Sequence, residues 1–224
     1  MFARILVVLV CFFGAVLRPG LAEPVNPPHR KLVVYLKTAP GQPRPPTDEM
    51  EREVEALMEG AGYSVSWRSP GDFGQDEADA AVIVAEFQGI CEVPRPGAIL
   101  ALPDAGAILA STAVSDGEVL PFIGVDCATV ARLLASALPN GASARRTFLY
   151  GRALGRVVAH ELFHAITGTR EHDQGGVAKH SFRASDILAE HFEFELASLK
   201  RFRESAPVVS DTDDGNLDAV AAGR

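Results

Sequence analysis

The chain lacks the features that would place it in several large classes. Its 224 residues hold 21 Lys and Arg against 29 Asp and Glu, a formal charge of −8, so the basic surplus that binds nucleic-acid phosphates through counterion release is missing. No internal repeat is visible, which sets aside repeat architectures. No GxSxG sequence occurs, so a serine nucleophile on that type of turn is absent. The longest N-terminal apolar run, residues 5–17, spans 13 residues, short of the roughly 20 that cross a bilayer. What remains is a composition of 47% hydrophobic and 22% charged residues, ordinary for a globular protein and unlike collagen, a coiled coil or a wholly disordered chain.

The first 22 residues read as an export signal. MFAR gives a short basic start, ILVVLVCFFGAVL an apolar centre, and Gly20 and Ala22 small residues ahead of a cleavage point after Ala22. A secreted or periplasmic location follows, with no stable membrane insertion after cleavage. Loss of Arg4 and Arg18 with this segment takes the 21 basic residues to 19 against 29 acidic ones. Export also sets the redox context for the two remaining cysteines, Cys91 and Cys127, which read as a disulfide pair, with two buried thiols as the alternative. Closing that loop stabilises by roughly 3–4 kcal/mol in the chain-entropy model.

Along the mature chain, residues 23–30 carry three prolines and predict an extended leader. KLVVYLKT (31–38) predicts a strand, APGQPRPP an irregular stretch, and Thr47 the N-cap of a helix with Val54, Leu57 and Met58 on its apolar face. Residues 63–69, 80–87, 106–114 and 118–125 predict further strands, the last two joined by a turn at Asp116-Gly117. Asp126 caps a helix through Leu138, and a long helical pattern covers 143–167. Ser185 opens a last helix, in which Leu188, Phe192, Leu196, Leu199 and Phe202 form a stripe. The expected fold is α+β: one domain over residues 23–203, with a mixed sheet in its N-terminal half and an active-site helix and a C-terminal helix in its second half. Residues 204–224, acidic and without aromatics, predict a disordered tail.

Five of the six histidines fall between 160 and 191. The sequence HELFH, residues 160–164, is an HExxH motif inside the long helical pattern. Its i, i+4 spacing puts the imidazoles of His160 and His164 on one helix face, able to converge on one metal ion. Glu161 is placed to accept a proton from a water on that ion. A catalytic zinc needs a third protein ligand and an open position. Gly168 ends the helix in a left-handed cap and lets the chain turn back, making His172 the expected third ligand, with Asp173 and Glu190 as the competing candidates.

Over HELFHAITGTREH, residues 160–172, together with the preceding mixed sheet and following helix, the chain resembles the zincin metallopeptidases. Within them it is most similar to a metzincin-like arrangement, HExxH followed by a glycine turn and a third histidine. The metzincin spacing would put glycine at Thr167 and histidine at Arg170; here they come one and two residues later. No methionine follows Met58, so the methionine-bearing turn of that group is missing. The Gly168-Thr169 pair also resembles the aspzincin group, whose third ligand is aspartate, which keeps Asp173 open.

The resemblance implies a zinc-dependent peptidase, a hydrolase acting on a peptide or protein substrate as a monomer, with zinc on His160, His164 and His172 and Glu161 as general base. Lys179, His180 and Arg170 are candidates for stabilising the oxyanion, and Asp186 and Glu190 for orienting the ligand imidazoles. The strand at 118–125 is the expected sheet edge along which a peptide lies. The alternative is an exported zinc-binding protein without turnover, its site closed by His180 as a fourth ligand.

Overall fold

The run RKLVVYLK forms β1 (Arg30–Lys37), in which Leu32, Val33, Val34 and Tyr35 are all buried, the continuous burial of a strand covered on both faces. The structure, a computed structural model, describes residues 29–72, 79–98, 100–101 and 107–205. The expected signal segment and all but the first two residues of the expected acidic tail lie outside the described residues. After β1 come α1 (Arg44–Gly60), β2 (Tyr63–Arg68), β3 (Ala80–Gln88), β4 (Ala110–Ser115) and β5 (Glu118–Asp126). The second half is helical, with α2 (Cys127–Leu134), α3 (Ser143–Thr167), α4 (Ala184–Ile187) and α5 (Leu196–Glu204). This is the expected α+β division. Among the described residues no helix is long and apolar enough to cross a membrane.

The five strands form one mixed sheet in the order β2-β1-β3-β5-β4. Pairings β1 with β2, β1 with β3 and β3 with β5 are parallel, and the β4–β5 hairpin is antiparallel. Its turn holds Asp116 and Gly117 at φ of 50° and 87°, the doubly left-handed geometry that matches strand twist. The edge is therefore β4 and not the strand at 118–125: β5 lies inside the sheet because its parallel pairing with β3 uses the side that β4 leaves free. A register shift between Thr112 and Val114 interrupts the β4 ladder.

Three helices differ from their expected bounds. Instead of starting at Thr47, α1 starts at Arg44, its first turn holding Pro45 and Pro46, where the missing N–H groups have no helical partner to lose. The Thr47 hydroxyl donates to the Pro43 carbonyl at 2.9 Å rather than capping. Asp126 caps α2 as expected, accepting from the Thr129 N–H at 2.9 Å, but the regular helix ends at Leu134. The expected last helix is split into one-turn α4 and α5, with an irregular stretch between them. The end of α4 and that stretch give their carbonyls to two arginines of α3: Arg156 takes Ile187 and Ala189, and Arg152 takes Leu188. A continuous helix would spend those carbonyls on its own N–H groups. As a consequence Leu196, expected in the apolar stripe, is 81% exposed.

At the centre lies α3, buried along nearly its whole length and touching α1, β3, β4, β5, α4 and α5. Two glycines let α1 approach it closely. A Cβ on Gly151 would lie 2.6 Å from the Pro46 carbonyl oxygen and 2.4 Å from Glu49 Cβ; one on Gly155 would lie 2.6 Å from Glu53 Cβ. The buried Arg156 guanidinium then pairs with Glu53 of α1 at 2.7 Å. Cys91, just beyond β3, is bonded to Cys127, the first residue of α2, with Cα atoms 4.6 Å apart, which ties the sheet's exit loop to the helix layer.

Candidate metal centre

HELFH occupies the last turns of α3, where the surrounding Val157, Val158, Ala159, Leu162 and Phe163 are all in the core. His160, Glu161 and His164 are themselves buried, at 7%, 6% and 7% exposure. Gly168 ends the helix at φ 64°, its N–H donating to the His164 carbonyl at 2.9 Å, the left-handed cap expected at that position. The chain then doubles back and brings His172 against both helix histidines, with ring centroids 5.2 Å from His160 and 4.7 Å from His164. One ligand atom from each of His160, His164 and His172 lies within 4.8 Å of the others, and among the described residues this is the group of that kind.

Hydrogen bonds set the tautomers. His160 Nδ1 lies 2.7 Å from the Val177 carbonyl oxygen and His164 Nδ1 2.8 Å from that of Thr169. A carbonyl only accepts, so both Nδ1 atoms carry the hydrogen and both Nε2 atoms carry lone pairs. Those two Nε2 atoms face one another at 3.1 Å. Two acceptors so placed repel unless a cation lies between them, and a tetrahedral ion bonded at 2.0–2.1 Å sets its nitrogens about 3.3–3.4 Å apart. The donor set therefore fits a metal ion. Burial drives His160 down to about 3, against a smaller upward pull from the Val177 bond, and also lowers His164 and His172. All three are neutral at pH 7, the state that ligates.

Glu161 lines the same cleft as the histidines and meets the sheet edge. The Thr112 hydroxyl of β4 donates to Glu161 Oε2 at 2.6 Å. Burial pushes the Glu161 carboxyl up to about 7, tempered by its bonds to Thr112. Nothing in the sequence singled out Thr112, because the contact joins residues 49 positions apart.

The competing third-ligand candidates lie elsewhere. The Asp173 carboxylate accepts from the Ser198 hydroxyl and lies 3.8 Å from the Arg201 guanidinium. Exposed Glu190 lines a separate cleft with Glu53, Phe148 and Arg152. Asp186, expected to orient an imidazole, instead holds Lys179 at 2.6 Å and accepts from the Arg183 N–H, which also takes Lys179 out of the free cations near the site. Main-chain carbonyls of Val177 and Thr169 do the orienting. For His172 the neighbour is His180, whose Nδ1 lies 3.4 Å from His172 Nδ1.

The histidines open onto a cleft of about 810 Å³ lined by β4 residues Ala110 to Thr112 and Val114, by Val119, Leu133, Val157 and Phe182, and by Arg170 and His180. The fold and site thus define a mixed α/β protein with a three-histidine cluster, two of the histidines buried and His172 half-buried, capable of holding a metal at the edge of its sheet. No protein-family model matches the chain, and no curated protein matches it.

Proposed function

We propose that the chain is an exported zinc metallopeptidase of the zincin type, with His160, His164 and His172 as ligands and Glu161 as general base. The observation that carries this reading is the pair of Nε2 lone pairs 3.1 Å apart, beside His172 and adjacent to a buried carboxylate. Three neutral imidazoles suit zinc, and a three-ligand set leaves the open position of a catalytic site. Zinc held there would lower the pKa of a water to about 7 and polarise a carbonyl oxygen.

The protein's own groups supply the rest. Glu161, fixed by Thr112, takes the proton of the attacking water and hands it to the leaving amine, a role suited to a carboxyl tuned near 7. Arg170 and His180 line the cleft and are the candidates for steadying the developing oxyanion. The unpaired side of edge strand β4 runs along the cleft, where an extended peptide adds as a further strand. The Cys91–Cys127 bond supports a location outside the reducing cytosol.

The test is elemental mass spectrometry of the purified protein dialysed without chelator, followed by assay against a quenched-fluorescent peptide library. About one zinc per chain is expected, with Glu161→Gln keeping the zinc and losing hydrolysis by roughly 10²–10⁴-fold. Absence of zinc after reconstitution overturns the metal assignment. Zinc without hydrolysis in the unaltered chain favours the zinc-binding protein without turnover.

A further inference from the structure

The cleft does not share the acidic surplus of the chain. Overall the protein is at −8, yet among the described residues lining the cleft Glu161 is the one carboxylate, and it is buried and held by Thr112. Among the described lining residues the one permanent cation is Arg170, which is exposed. Other arginines of the second half already have partners: Arg156 pairs with Glu53, Arg201 faces Glu171 and Asp173, and Arg152 bonds a main-chain carbonyl. Arg170 forms no ion pair or hydrogen bond with any described residue. Beside it the wall is apolar, built from Ile108, Val114, Val119, Leu133, Val157 and Phe182. Of these, Ile108, just before β4, and Val114, on β4, are exposed, at 69% and 44%.

We propose that the cleft selects extended peptides bearing a carboxylate, paired with Arg170, next to an apolar side chain seated on the Val114, Val119, Leu133 and Val157 wall, and that it discriminates against basic peptides. This inference rests on the peptidase reading and names its substrate class. An apolar-walled cleft with an unpaired guanidinium focuses the field on anions. The guanidinium fork matches a carboxylate in plane, whether that carboxylate is an acidic side chain or a chain terminus. The apolar wall supplies affinity without regard to charge.

The experiment measures binding rather than turnover. Fluorescence anisotropy is recorded for the zinc-loaded Glu161→Gln chain with matched labelled octapeptides carrying leucine and, in the scanned positions, Glu, Gln or Lys, each made with a free or an amidated C-terminus. Peptides with a carboxylate are expected to bind roughly fivefold more tightly than their Gln or amide counterparts, the upper range for a partly solvated ion pair, with Lys peptides the weakest. The arm that carries the difference, side chain or terminus, identifies the source of the carboxylate. Arg170→Gln should abolish the preference and Arg170→Glu reverse it toward Lys. Exchange of the leucine for asparagine should weaken binding about tenfold or more. A preference unchanged in Arg170→Gln, equal affinity for Glu and Lys peptides, or no binding by any peptide overturns the proposal. If the unaltered zinc-loaded protein binds acidic peptides through Arg170 and never cleaves them, the peptidase reading fails while this one stands.

Discussion

Replacing Gly151 or Gly155 by alanine sets two effects of opposite sign against each other on the helix that carries His160 and His164. In an open helix position alanine is better than glycine by about 0.5–1 kcal/mol, because glycine loses more backbone entropy. Here the added methyl meets atoms that cannot swing away: Pro46 carbonyl oxygen at 2.6 Å and Glu49 Cβ at 2.4 Å for residue 151, Glu53 Cβ at 2.6 Å and Met50 carbonyl oxygen at 2.9 Å for residue 155. A carbonyl oxygen and a Cβ are fixed to the α1 backbone, so relief requires the two helices to part by several tenths of an ångström. Such overpacking costs about 1–3 kcal/mol and, set against the propensity gain, leaves a net loss of up to roughly 2.5 kcal/mol. At about 2–4 °C per kcal/mol for a chain of this size, each melting temperature falls by a few degrees. Gly60, exposed in the last turn of α1 with nothing within 4 Å of an added Cβ, is the matched control, and Gly60→Ala should raise stability by about 0.4–1 kcal/mol. Thermal and urea denaturation followed by circular dichroism read all three variants. The reasoning is refuted if Gly151→Ala and Gly155→Ala stabilise as Gly60→Ala does.

Glu53→Gln strips the buried Arg156 guanidinium of its counter-charge while leaving its carbonyl partners; a loss of about 3 kcal/mol is expected in urea unfolding, and an unchanged midpoint would show that the carbonyls suffice. Burial alone raises the Asp126 carboxyl, but its bonds to Thr129 and Ala128 and the nearby Arg132 outweigh this and hold it below the usual 3.8. A lowered folded value means stability that is present above pH 3.8 and is lost as pH falls through the folded value. Asp126→Ala should therefore cost about 0.5–2 kcal/mol at pH 7, with the gap to the unaltered chain closing in acid-titration denaturation curves below pH 3.8.

Local chemistry fixed a large part of this protein. The period of KLVVYLKT, the Asp116-Gly117 turn, the Asp126 cap and the Gly168 stop each act through atoms a few residues away, so the strands, the hairpin, α3 and its end were legible from the chain alone. The i, i+4 spacing of His160 and His164 is likewise a property of any α-helix. The rest depended on partners distant in sequence. The prolines at 45 and 46 signalled a break, yet a helix begins there because its first turn needs no N–H. The stripe from Leu188 to Phe202 has helical spacing, but Arg152 and Arg156, more than 30 residues earlier, claim the carbonyls that would have made it one helix.

At the site, sequence named the histidines and Glu161, while tertiary structure decided what surrounds them. The return of His172 rather than Asp173 to the cluster is set by Ser198 and Arg201, which draw the carboxylate away. The imidazoles are held by carbonyls of Val177 and Thr169, groups that every residue possesses and no motif can mark. Strand order placed β4, not β5, at the sheet edge, and with it Thr112 against Glu161. A sequence carries spacing along one element; which atoms of other elements meet that spacing is decided only when the sheet and helices pack.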